Sequence, residues 1–377
     1  MTANSKYGIN PRLISVITNR DLSDIPDSPT ASMLPGSYGR IIAEKVNQGP
    51  REHPENIQRL VCNRCGRSGN YDLGLVAIDS DKAQKLGHDD SVPAGTETLS
   101  ILDCIQATGY FRCRQCNAAG HWKLSESAER AIYLGGIGAA FFSPKDISKQ
   151  KFTYGGFVLA DGSRHRWATD VEEYYLQKLA GQPDDAFTWN RLGNTYLAGG
   201  RPDLAAVAYE QSLIIDPAQM ESHYSLAKAL FNAGEKAAAA QHFRQALICA
   251  HRYSRMQAER MRDMLVSTFE YLLQIHCDME KFLASLPTEL DMLPPGEAAY
   301  ASGTVVSREI NIYPGNPKSF YPMAEMYMGK RREELLTGSQ MPGESISAIS
   351  QTAGKTSSRP GGNRKKKSGK KNKKRKL

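Results

Sequence analysis

The stretch Trp189-Asn190-Arg191-Leu192-Gly193-Asn194-Thr195-Tyr196, followed by Gly200, Ala205, Tyr209, Ser212 and Asp216-Pro217, decides how this chain is read. It recurs 34 residues later, with His223, Leu226, Ala227, Leu230, Gly234, Ala239, Phe243 and Ala246 standing for Trp189, Leu192, Gly193, Tyr196, Gly200, Ala205, Tyr209 and Ser212. A self-match at that period signals a helix–turn–helix unit that buries its apolar face only against a neighbouring copy. The small pairs Gly193/Ala227 and Ala205/Ala239 let the two helices of a unit approach closely, and Trp189, Tyr196, Tyr209 and Phe243 fill the space between units. Asp216 is placed to cap the next helix, and Pro217 suits its first turn, where a backbone N–H has no intrahelical partner.

On these residues the segment resembles the tetratricopeptide repeat family, with Trp-x2-Leu-Gly-x2-Tyr, Gly200, Ala205, Tyr209 and the closing Asp216-Pro217 in the copy 186–219. The copy 220–253 departs from the pattern at His223, Leu230 and His251. A helix over Val171–Ala180, opened by the capping box Thr169-Asp170-Val171-Glu172, resembles half of a preceding degenerate copy. The resemblance implies a groove on the first helix of each copy that holds a protein or peptide. Its candidate contacts are Asn190 and Asn194 and their 34-residue equivalents Tyr224 and Lys228. In members that clamp a C-terminal carboxylate the matching positions are Lys and Asn. Only Asn194 fits that pattern here.

A second signal precedes the repeats. Cys62-Asn-Arg-Cys65-Gly66 and Cys113-Arg-Gln-Cys116-Asn-Ala-Ala-Gly120 are two Cys-x2-Cys turns fed by strand-like Leu60-Val61 and Phe111-Arg112, a pattern that resembles a zinc ribbon. Four thiolates make the closed tetrahedral shell of a structural Zn2+, the expected cofactor, and leave no open position for hydrolytic chemistry. The 47 residues between Cys65 and Cys113 exceed the usual spacing, so further strands are expected in Leu73–Ile78 and Thr98–Ile105, with a loop over Ser80–Gly95. Two unrelated buried cysteine pairs are the alternative. Cys104, His53, His88 and His121 are spare ligand types, His121 being the best placed as a substitute.

The chain is therefore read as α+β and multi-domain: a β-rich zinc ribbon, then an α-helical tetratricopeptide-type repeat domain and a disordered basic tail. Its divisions are an irregular arm (1–52), the ribbon-like domain (53–130), a β-hairpin connector (131–168), the repeats (169–253), a C-terminal helical cap with an irregular segment (254–336) and a Lys/Arg-rich tail (337–377). Within the connector, Gly135–Gly138 reads as a loop, and Phe152–Leu159 and His165–Trp167 as strands around Asp161-Gly162. Met256–Leu286 carries a helical pattern that would cover the end of the repeat stack, and Gly303–Ile312 is strand-like.

The net charge of +8 belongs to the tail: Lys355–Leu377 holds twelve of the 48 Lys and Arg and no acid, which leaves 36 basic against 40 acidic residues before it. The longest nearly apolar run, Ala131–Phe142, has 12 residues, where a membrane-crossing helix needs roughly 20. The N-terminus lacks the charged-then-apolar pattern of a signal peptide. Paired Cys-x2-Cys thiols suit a reducing compartment, so a cytoplasmic protein without a membrane anchor is expected. No Ser/His/Asp, Cys/His, metalloprotease or P-loop signature is present, which points to a non-enzymatic adaptor or scaffold with a protein partner. The alternative is a nucleic-acid- or ribosome-associated protein. Lys365, Lys366, Lys367, Lys370, Lys371, Lys373, Lys374 and Arg375 would attract RNA or DNA through phosphates, aided by Arg64, Arg67, Arg112, Arg114 and Lys123 near the cysteines.

Overall fold

A computed structural model describes residues 8–45, 53–85, 100–141, 149–288, 290–293, 311–313 and 315–337. The basic tail, His88 and nearly all of Gly303–Ile312 lie outside these residues.

The N-terminal arm is structured rather than irregular. Helix α1 (Pro11–Thr18) starts where the Asn10 side chain accepts the Arg12 N–H at 3.0 Å and ends at Asn19, whose φ is 51°. Helix α2 (Tyr38–Lys45) buries Gly39, Ile42 and Ala43. Ile9, Leu13, Ile14, Ile25, Leu34 and Ile42 all enter the core of the repeats. Their spacing in sequence has no single period because a neighbour distant in the chain, not local geometry, buries them.

Strand β1 (Ile57–Cys62) lies between β2 (Ser68–Asp72) and β5, both antiparallel to it; β3 (Val76–Ile78), α3 (Ser80–Lys85) and β4 (Ile105–Ala107) come between, and β5 is Trp122–Leu124. The register sets Leu60 opposite Gly69 and Leu124, and Cys62 opposite Trp122. Leu60, Tyr71, Trp122 and Leu124 share the buried face. A second sheet has β3 between β4, antiparallel, and β6 (Phe152–Tyr154), parallel.

Ile101–Cys104 is a tight helical turn opened by Ser100 and Asp103, so the strand begins only at Ile105. Gly135–Gly138 lies inside helix α4 (Glu126–Phe141): a Cβ on Gly135 would sit 2.3 Å from the Phe152 ring and one on Gly136 2.8 Å from Ile78, so these glycines let the helix settle on the sheet. The connector hairpin does not form. Only its turn exists, closed by Leu159 N–H to Ser163 O at 2.9 Å, because Phe152–Tyr154 pairs with the free edge of β3 instead. Ala128, Ile132, Phe152 and Trp167 pack into the same core as Leu60 and Tyr71, so one sheet unit runs from about Asn56 to Trp167 across the expected 130/131 boundary.

Helix α5 (Ala168–Gly181) begins three residues before the expected start at Val171, and Asp170 accepts the Trp167 N–H at its head. The repeats follow as α6 (Ala186–Ala198) with α7 (Pro202–Ile215), and α8 (Met220–Asn232) with α9 (Lys236–Ala250). Both turns close with the same bond one period apart, Arg201 N–H to Tyr196 O at 2.8 Å and Glu235 N–H to Leu230 O at 2.9 Å, with Gly200 and Gly234 at φ 76° and 82°. Helix α10 (Ala258–His276) covers α9, with Tyr271 stacked 5.0 Å from Phe243. The long helical pattern breaks at Cys277 (φ 54°), and Asp278 caps α11 (Met279–Ser285). Helices α12 (Tyr321–Tyr327) and α13 (Glu334–Thr337) finish the described chain, with Phe320 and Tyr327 against Phe269.

The sheet unit and the repeats meet along Tyr110-Phe111-Arg112, whose side chains alternate between two cores. Phe111 points into the sheet unit against Tyr71, Trp122 and Trp167, while Tyr110 enters the repeats and its N–H donates to Gly199 O at 3.0 Å. Glu172 of α5 is fully buried. Its carboxylate accepts from Tyr110 at 2.9 Å, Tyr196 at 2.7 Å and the Arg112 guanidinium at 2.9 Å. Burial first, then the carboxylate, push both phenols above their ordinary value, so they remain donors. A buried pair costs desolvation that only full hydrogen bonding offsets, and removing one partner strands the other. Arg112→Met should therefore lower the unfolding free energy by about 3–5 kcal/mol; an unchanged urea midpoint would contradict the coupling.

Buried His223 and half-buried His242 form a second polar contact, Nδ1 to Nδ1 at 3.0 Å. His223 Nε2 donates to Pro217 O at 3.0 Å, so in the neutral pair His242 Nδ1 donates and His223 Nδ1 accepts. Tyr38 of the arm meets the His242 ring edge-on at 5.4 Å. Burial, and then His223, bring His242 down to about 4, and burial lowers His223 as well. A folded-state pKa below the unfolded one means that stability present above about pH 6.5 is lost as pH falls toward 4. In urea titrations between pH 7 and 4, His242→Gln should flatten the decline relative to the unsubstituted chain. Parallel curves would refute the assignment.

Candidate metal centre

Two turns of the same construction carry the four cysteines. In the first, Cys62 N–H donates to Arg67 O at 2.9 Å and Gly66 N–H to Cys62 O at 2.8 Å. In the second, Cys113 N–H donates to Ala118 O at 2.8 Å and Asn117 N–H to Cys113 O at 2.9 Å. The residue after each second cysteine must adopt the left-handed conformation, and it is Gly66 (φ 72°) in one and Asn117 (φ 53°) in the other. Glycine and asparagine are the residues that reach this region at least cost.

The turns face each other across the β1–β5 pairing and bring the four Sγ atoms within 4.8 Å of one another. Cys62 and Cys116 are 3.8 Å apart and Cys65 and Cys113 3.6 Å, far beyond the ~2.05 Å of a disulfide, and all four are free thiols. Burial raises the Cys62 thiol against the N–H groups of Cys65 and Arg64. At Cys113 burial is outweighed by the N–H groups of Cys116 and Gln115, with the neighbouring thiols adding to them, and the thiol comes down to about 7. Cys116 is pushed up to about 12 by burial and by its neighbouring sulfurs, against the Ala118 N–H. Four thiolates cannot share this space without a cation. The donor set is compatible with a metal ion.

The spare ligand types stay outside the group. The His121 side chain is exposed, its carbonyl accepting from Asn63 N–H at 3.0 Å, and Cys104 is buried in its turn with Ser100 O at 3.7 Å. His53 is also absent from the cluster.

The structure separates the candidate partner contacts. Asn190 is fully buried and donates to Ser222 Oγ at 2.9 Å, so it joins α6 to α8 and does not face a groove. Asn194, Tyr224 and Lys228 are each partly exposed. Asn194 accepts from Tyr209 of α7 at 2.8 Å, and Tyr224 of α8 donates to Ser267 of α10 at 3.1 Å. Arg112, expected near a nucleic-acid surface, is instead the buried partner of Glu172. The tail lysines and Arg375 lie outside the described residues.

Two functional residues escaped the sequence reading. Besides turning the second knuckle, Asn117 donates its side-chain amide to Ile9 O at 2.9 Å and Asp27 O at 2.7 Å, which ties the arm to the cysteine cage. From sequence alone Glu172 reads only as part of the capping box. A carboxylate at an inward helix position, Glu172 with Tyr175, Leu176 and Leu179, was the available signal.

Comparison with known proteins matches the tetratricopeptide repeat family over residues 188–219. No curated protein matches the chain. Among solved structures, a crystal structure of MamA is similar at 19% identity and a TM-score of 0.23, over 45% of this chain and 90% of that one. A second crystal structure of the MamA protein is similar at 17% identity and a TM-score of 0.21, over 46% of this chain and 87% of that one. The matched segment 188–219 takes in most of α6 and all of α7.

Proposed function

We propose that the chain is a non-enzymatic scaffold. In this reading the face of α6, α8 and α10 holds a protein or peptide through Asn194, Tyr224 and Lys228, and a structural Zn2+ in the cage of Cys62, Cys65, Cys113 and Cys116 keeps the sheet unit rigid against the repeats. The observation that carries the partner reading is the pair of stacked helical hairpins, a fold that presents side chains from successive first helices on one surface. For zinc, the support is spacing and donor type. Sulfurs about 2.3 Å from a tetrahedral centre lie about 3.8 Å from each other, which matches the observed 3.6 and 3.8 Å. Zinc bound there would add folding free energy and leave no open position for a substrate. Thiols kept for a metal favour a reducing compartment such as the cytoplasm.

Elemental analysis of the purified chain should give one zinc per chain, and Cys113→Ser with Cys116→Ser should abolish it while helical ellipticity at 222 nm is largely retained. Stoichiometric zinc in that variant would overturn the ligand set. For the repeat surface, capture of one protein by the intact chain should survive nuclease and weaken at least tenfold in Tyr224→Ala with Lys228→Glu. Capture lost to nuclease would remove the scaffold reading.

A further inference from the structure

We infer that the outward face of the cysteine-bearing sheet binds the phosphate backbone of a nucleic acid, a function separate from the repeat surface. The strand register decides which residues share this face. Arg59 stands opposite Asn70, and Val61 opposite both Ser68 and Lys123. Arg59 confirms the side by donating to Ser68 Oγ at 3.0 Å. Arg114, from the second knuckle, reaches the β2 edge with a bond to Asn70 O at 3.0 Å. Arg64 and Arg67 project from the first knuckle. All five arginine and lysine side chains outside the Glu172 pair are exposed, and none makes an ion pair with a described residue.

Over Ile57–Asp72 and Cys113–Leu124 the only acid is Asp72, at the far end, where Oδ1 already accepts the Asn56 and Gly74 N–H groups at 2.9 and 3.0 Å. A divalent cation in four thiolates carries a net charge of about −2, which still leaves the face positive. This reverses the sign of the rest of the body, where acids outnumber bases before Lys355. The type of polyanion follows from the other side chains. Tyr71, Phe111 and Trp122 point into the core and offer no stacking platform. Exposed Asn63, Asn70 and Gln115 place amide donors beside the guanidinium groups. The exposed aliphatic on this face, Ile57, lies at its far end opposite Asp72, and Val61 nearer the middle is half-buried. A protein-docking patch would carry large exposed anchors at its centre, whereas a mainly polar, positive and non-aromatic face suits phosphate oxygens without base readout.

The test is fluorescence anisotropy of the full chain with a labelled 20-nucleotide single-stranded RNA across a salt series. Arg64→Ala, Arg67→Ala and Lys123→Ala together should weaken binding at least tenfold near 0.1 M salt. They should also lower the slope of log K against log salt by about two, at about 0.7 per phosphate contact on a single strand. Zinc content checks that the cage survives, and Arg64→Lys with Arg67→Lys should retain the slope. An unchanged slope and affinity in the triple variant would overturn the inference, since the tail alone would then account for binding. Equal affinity for a 20-residue polyglutamate would overturn it as well.

Discussion

A carboxylate with no access to water holds this molecule together. A buried carboxylate must be met by hydrogen-bond donors, and those of Glu172 come from two separate parts of the chain. Tyr196 belongs to the first repeat, while Tyr110 and Arg112 precede Cys113 by three residues and one. Wherever the second knuckle sits, the repeats must therefore sit too. Alternation of Tyr110, Phe111 and Arg112 turns this into a shared wall: one side chain in every two serves the sheet core, and the others serve the repeats.

The same knuckle anchors the arm. Asn117 is forced into the left-handed region by the tight turn around Cys113 and Cys116, and that conformation aims its amide at Ile9 O and Asp27 O. Arg201, at the turn of the first repeat, donates to Gly8 O at 3.1 Å and pairs with Asp203. From there the arm runs on to α2, where Gly39 packs against Val207 and Lys45 pairs with Glu235. Among the described residues the first knuckle has no such role: its partners are β1, β2 and the loop before β5. The two turns are alike in geometry and unlike in reach.

What could be read from sequence was whatever repeats at a fixed spacing. The 34-residue period placed α6 to α9 and their turns because each copy solves the same packing problem with the same residue classes, down to Gly193 against the Tyr209 ring. The Cys-x2-Cys pairs placed the cage because four soft ligands have few other uses together. Pairing between distant segments was not legible. Phe152–Tyr154 looks like half of a hairpin until the open edge of β3 is known, and Gly135-Gly136 looks like a loop until Phe152 and Ile78 are seen beneath it. Asn190 failed for a related reason. The period gives its position on the helix but does not show that Ser222 of the next helix closes over it.

Ligand binding stabilises whatever is folded together with its site, so the claim that the cage and the repeats form one unit has a direct measure. The urea midpoint of the 222 nm helical signal should be recorded for the zinc-loaded chain and again after removal of zinc by a chelator. Because the helical signal comes mainly from α5 to α10, which supply none of the four cysteines, the account predicts a clear fall in that midpoint. An identical midpoint with and without zinc would mean that the repeats stand alone and that the Glu172 junction transmits nothing.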